Sequence, residues 1–86
     1  IVKGRTATYT AKFTDNGIPV SMLSEFWLTD DLGNPTTLAT ITEHDSVANT
    51  CVVTAGNTLG YVKLWCKDTE GKVEPQFLRI QIKNIF

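Results

Sequence analysis

The chain has 86 residues, with eight Lys and Arg against nine Asp and Glu, so its formal charge is −1. A chain this short buries only about 60% of the surface it exposes when unfolded, which commits its 42% hydrophobic residues to one thin core and argues against a deep catalytic cleft. The near-neutral balance lacks the basic surplus that binding to nucleic acid or an anionic membrane needs, and no stretch approaches the roughly 20 apolar residues of a membrane span.

Thr (13), Val (7) and Ile (6) supply 26 residues, and these β-branched side chains pack well on a pleated sheet. Short alternating runs recur between turn signals, and no window holds a helical 3.6-residue period. The first run, Thr6 to Thr14, sets Ala7, Tyr9, Ala11 and Phe13 against Thr8, Thr10 and Lys12, and ends at the Asp15-Asn16-Gly17 turn. Ser24 to Asp30 follows, closed by Asp31-Leu32-Gly33-Asn34-Pro35. Thr37 to Glu43 carries Ala39 and Ile41 on its apolar side. His44-Asp45-Ser46 reads as a turn into Val47 to Ala55, with Val47, Cys51, Val53 and Ala55 inward.

After the loop Gly56 to Gly60, the run Tyr61 to Asp68 alternates Val62, Leu64 and Cys66 inward with Tyr61, Lys63, Trp65 and Lys67 outward. Thr69-Glu70-Gly71-Lys72 is a turn. The last run, Pro75 to Asn84, places Leu78, Ile80 and Ile82 inward and Phe77, Arg79, Gln81 and Lys83 outward. These are six strands, or seven if Ile1 to Lys3 or Ile18 to Val20 adds an edge piece. The predicted architecture is an all-β antiparallel sandwich formed as a single domain over residues 1–86; the start without Met reads as a piece, the C-terminal part, of a longer protein.

Six or seven short strands in this length fit an immunoglobulin-like sandwich. The runs Tyr9 to Val20, Leu38 to Ile41, Asn49 to Ala55 and Gly60 to Leu64 resemble bacterial immunoglobulin-like domains of the intimin/invasin type, and Arg79 to Phe86 is similar to the C-termini of such domains on phage and prophage tail and other virion proteins. The resemblance spans nearly the whole chain and implies a non-enzymatic structural or adhesion domain of a virion or a bacterial cell surface. Its partners would be other domains of the parent protein or a cell-surface protein or glycan. The chain departs from the family in one respect: members often carry an inward Trp on the third strand, whereas the alternation in Ser24-Glu25-Phe26-Trp27-Leu28 turns Phe26 inward and Trp27 outward.

Catalytic chemistry finds no constellation in the sequence. Nucleophilic catalysis needs a nucleophile, a base and an orienting group within reach, yet the single His, His44, falls in a turn and Cys51 and Cys66 point into the core as small hydrophobes. The two Cys lack metal-ligand spacing, and only 14 residues separate them. Asp15, Asp30, Asp31, Glu43 and Asp45 gather in turns without the alternate-position spacing of a calcium loop, where Asp caps its own backbone. No glycine-rich phosphate loop is present, and no cofactor or metal is expected.

Binding is a different matter. Pairing across a hairpin centred near Gly71 sets Trp65 opposite Phe77, Lys63 opposite Arg79 and Tyr61 opposite Gln81, so the outward face of the final hairpin, with Trp27 beside it, is the candidate contact surface. Like charges facing each other cost stability in a sheet, and Glu25 is the expected carboxylate between Lys63 and Arg79. Three readings are open: the rings stiffen an exposed sheet or lie under a neighbouring domain, they form a protein-contact face, or the chain is a small carbohydrate-binding module using its flat aromatics. Trp65→Ala is expected to cost a partner about 1–3 kcal/mol of binding, the range for interface hot spots, and the fold less.

Overall fold

The computed structural model describes residues 1–11, 14–15, 18–19, 24–69 and 75–85, with backbone alone at 14–15 and 18–19. Eight strand segments follow one another: β1 Thr6–Thr10, β2 Thr14–Asp15, β3 Ile18–Pro19, β4 Ser24–Thr29, β5 Ala39–Asp45, β6 Thr50–Ala55, β7 Gly60–Asp68 and β8 Gln76–Ile82. They build two antiparallel three-stranded sheets, ordered β1-β6-β5 and β4-β7-β8, and a short β2-β3 ladder. Among the described residues there is no helix, and none therefore long and apolar enough to cross a membrane. The expected Ile18 edge piece is β3, while the Ile1 piece reaches β8 as a single parallel bridge between Val2 and Lys83. The predicted turn residues Asn16, Gly17 and Glu70 to Lys72, with Lys12, Phe13, Val20 and Phe86, lie outside the described residues.

One core cluster joins the two sheets, which therefore face each other in a sandwich-like arrangement. Ala39, Cys51, Val53 and Ala55 enter it from the first sheet and Val62, Leu64, Ile80 and Ile82 from the second, with Tyr9, Phe26, Leu28 and Ile41 packed against it. These are alternating positions along each strand, as a pleat requires. Phe26 is inward and Trp27 lies opposite Trp65 on the other face, as the alternation in Glu25-Phe26-Trp27 predicts.

Three expectations are corrected. First, β5 runs through Asp45, because a bulge between Ile41 and Glu43 inserts one residue and shifts the register. A bulge reverses the parity of everything after it. His44, not a turn residue after all, thus falls opposite inward-facing Cys51 and meets the Phe26 ring edge-on at 5.1 Å. Second, the turn moves to residues 46–49, where Asp45 Oδ1 accepts hydrogen bonds from the Val47 and Ala48 amides at 3.0 Å each and Asn49 takes a left-handed φ of 58°. Val47, expected inward, is 77% exposed in that turn. Third, Leu78 is 51% exposed. β8 is an edge strand with β7 on one side only, and the core closes over Ile80 and Ile82 without extending to Leu78.

Both cysteines are free and buried. Burial pushes each thiol up to about 11 from an ordinary 9.0. The thiolate is the reactive form, so a disulfide-exchange reagent at pH 8 should label neither thiol in the native protein and both in denaturant. Rapid labelling of the native chain would contradict the burial. A group held neutral in the fold stabilises it fully below its unfolded pKa; this contribution is present below about pH 9 and fades as pH climbs toward 11.

Candidate functional site

The outer face of the β4-β7-β8 sheet is set by the register of its central strand. β7 presents Tyr61, Lys63, Trp65 and Lys67 outward. Trp27 of β4 and Phe77 of β8 lie on either side of Trp65, Arg79 is opposite Lys63, Gln81 opposite Tyr61, and Glu25 opposite Lys67. The cross-strand pairs expected for the final hairpin are those observed, and the third strand widens the aromatic pair into a row.

Trp27 and Trp65 stack with ring centroids 5.9 Å apart and planes 5° from parallel, and Phe77 meets Trp65 at 4.8 Å with a 44° tilt. Directly opposed side chains on neighbouring strands are close enough for such contacts. The Trp65 indole N–H donates to Thr29 Oγ1 at 2.9 Å, and that hydroxyl donates in turn to the Asp30 carbonyl at 2.9 Å, so the polar edge of the central ring is satisfied within the sheet. Cations cap the other rings: Lys63 Nζ lies 4.6 Å from the Phe77 centroid, Lys67 Nζ 5.7 Å from Trp27, and the Arg79 guanidinium 3.8 Å from Tyr61. Each of the four rings therefore has a face occupied by a neighbour, while Phe77 remains 52% and Tyr61 41% exposed.

The carboxylate between the facing cations is Asp31, not Glu25. Glu25 is in register with Lys67 and pairs with it at 3.5 Å, one Trp pair removed from Lys63. Asp31 reaches over from the loop after β4, and Arg79 grips it bidentately, Nε to Oδ1 at 3.0 Å and a terminal nitrogen to Oδ2 at 2.6 Å. The loop is built for this. Asp30 Oδ1 accepts from the Leu32 and Asn34 amides at 2.8 and 2.9 Å, and Gly33 adopts φ 86°, a conformation that glycine takes without strain. At its tip Leu32 is 86% exposed.

The hydrogen bonds from Arg79 hold the Asp31 carboxyl below its ordinary 3.8, with the charges of Arg79 and Lys63 adding to the effect, and the same hydrogen bonds raise Arg79. A depressed carboxylate stabilises the fold above its unfolded pKa and loses that contribution as pH falls through the folded one. The loop clamp is thus complete at neutral pH and opens only below about pH 4. Carbon-detected NMR of the Asp31 carboxyl should give a midpoint under 3.8 that Arg79→Gln returns to the ordinary range. Because both side chains are about half exposed, the clamp orders the loop more than it stabilises the domain.

Elsewhere, an open depression of about 520 Å³ is lined by Glu43, His44, Asp45, Thr50, Cys51 and Val52. It brings the single His close to a Cys. The Cys51 thiol, raised by burial, stays protonated at neutral pH, and the His44 ring packs in a T-shaped pair with Phe26, so the thiol lacks the activated state that nucleophilic attack needs. Among the described residues no group of three or more His, Cys, Asp or Glu is placed to hold a metal ion. Among the described residues, aromatic, cationic and anionic side chains come together on the outer β4-β7-β8 face. In comparison with known proteins, no family model, curated protein or solved structure matches the chain.

Proposed function

We propose that the chain is a non-enzymatic immunoglobulin-like domain with a structural or adhesive role on a phage virion protein, such as a tail protein, or on a bacterial surface protein, and that it contacts its partner through the outer β4-β7-β8 face. Two lines support the topology. If β1, β4, β5, β6, β7 and β8 are assigned in order to strands B to G, the observed orders β1-β6-β5 and β4-β7-β8 agree with the B-E-D and C-F-G neighbour orders of such a sandwich. The resemblance of the sequence points the same way.

The observation that carries the contact reading is the row Trp27-Trp65-Phe77, ordered by ring stacking on the outer face of the sheet, with both Trp partly buried and Phe77 half exposed. Aromatic side chains fixed in advance lose little entropy on binding and are enriched at interface hot spots. The same geometry favours a protein partner over a sugar. A carbohydrate-binding platform stacks the ring of a sugar on a free aromatic face, whereas here Trp65 lies between two rings and Trp27, Phe77 and Tyr61 each carry a cation. Antibodies raised against the chain should label intact particles or intact cells of the source, and a glycan array should show no saturable binding. Labelling that appears only after lysis would overturn the location, and sugar binding lost in Trp65→Ala would favour the carbohydrate module.

A further inference from the structure

The two ends of this sandwich carry complementary surfaces. At one end, beyond β4, the Asp31-Arg79 clamp ties down the loop that carries the exposed Leu32, and Arg79 lies opposite Lys63 and over the Tyr61 ring. Lys63 has no carboxylate at ion-pair distance among the described residues, since Asp31 is taken by Arg79 and Glu25 by Lys67. At the other end is the β5-β6 hairpin, whose turn meets the start of β4 where the Ser24 amide donates to the Ser46 carbonyl at 3.3 Å. This hairpin presents exposed Val47 in its turn, anchored by the Asp45 hydrogen bonds, with the exposed carboxylates Glu43 and Asp45 at the end of the strand before it. Neither carboxylate has a cation at ion-pair distance among the described residues.

We propose that the occupant of the aromatic face is a second copy of this chain, docked head to tail: the Val47 tip of one copy seats against Phe77, Tyr61 and Leu32 of the next, with Glu43 and Asp45 meeting Lys63 at the rim. This deepens the contact-face reading and rests on it. The tip meets the start of β4, whereas Lys63 is level with its last residue, Thr29, so a single molecule cannot satisfy its own pair, and a contact between two different patches leaves one of each free on every dimer. Such a heterologous contact propagates as an open row unless its rotation closes a ring. A hairpin tip covers a small area, which places the isolated contact among weak, transient interfaces; many copies held on one particle or in one fibre would act together through high effective concentration. Unlike-charged rims set register and encounter rate more than affinity, so added salt should weaken the association.

Sedimentation velocity at low ionic strength, carried up to about 1 mM protein to reach a contact of this weakness, tests the proposal. Wild type should show a sedimentation coefficient that rises with concentration. Lys63→Glu, which spoils the face, and Val47→Ser combined with Glu43→Gln, which spoils the tip, should each sediment as monomers, while an equal mixture of the two forms a 1:1 dimer that grows no further, because it holds one intact face and one intact tip. If the charge reversal unfolds the domain, Lys63→Gln serves as the face variant and should weaken association about 10-fold. A wild type that stays monomeric, a mixture that does not pair, or single variants that associate as wild type does would each overturn head-to-tail docking. The contact face itself would still stand if Trp27, Trp65 and Phe77 were shielded in the intact parent assembly, and would fall if they were not.

Discussion

Ile82→Ala should lower the stability of this domain by about 2–4 kcal/mol, the cost of removing a large buried aliphatic side chain and leaving a partly collapsed cavity. Ile82 is the largest of the fully buried side chains and belongs to the cluster both sheets share. Domains of this size sit near the lower end of the usual range of about 5–15 kcal/mol, so the change consumes much of the available stability. At about 4–8 °C per kcal/mol for a short chain, the melting temperature should fall by roughly 10–25 °C. Leu78→Ala is the matched control. It sits on the same strand and, by parity, on the same side, but is half exposed, so its loss should cost under about 1 kcal/mol. Calorimetry that finds the two variants equal would contradict the boundary of the core on β8.

Trp65→Ala should cost about 2–3 kcal/mol of folding stability, less than a fully buried Trp but far above a solvent-exposed residue. The substitution removes the middle of the row, loses contacts with both Trp27 and Phe77, and takes away the donor to Thr29 Oγ1. The sequence alone suggests a smaller effect on the fold than on binding; the three-ring row and the indole hydrogen bond raise the folding share. Trp65→Phe, which keeps a ring in the row and gives up the hydrogen bond, should recover about half of the loss. Urea unfolding followed by the fluorescence of the remaining Trp27 reads both. A Trp65→Ala midpoint indistinguishable from wild type would show that the row adds nothing to the sheet.

The alternation that defines β6, β7 and β8 is plain in the sequence because each strand has one face in the core and one in solvent, and the outward set Tyr61, Lys63, Trp65, Phe77 and Arg79 follows from it. What escapes is what alternation does not encode. The bulge after Ile41 has no Gly or Pro to mark it, and its only trace is that an inward set of Val47, Cys51, Val53 and Ala55 skips Asn49, a hint that the strand begins later than Val47. Leu78 obeys its parity, yet whether an inward position on an edge strand is covered depends on how far the facing sheet reaches. Asp31 is invisible to local pattern because its partner lies 48 residues away; the clue is that it follows Thr29, which the ladder places level with Lys63 and hence with Arg79.

The central claim, that the outer β4-β7-β8 face is where this domain meets its partner, is tested most directly by hydroxyl-radical footprinting of the isolated chain and of the intact parent assembly, with oxidation of each side chain read by mass spectrometry. The account expects Phe77, Tyr61, Trp27 and Trp65 to be oxidised several-fold more slowly in the assembly, since a docked surface excludes water from its centre, while Tyr9 on the opposite sheet keeps its rate. Equal oxidation of the four aromatic residues in both samples would contradict it.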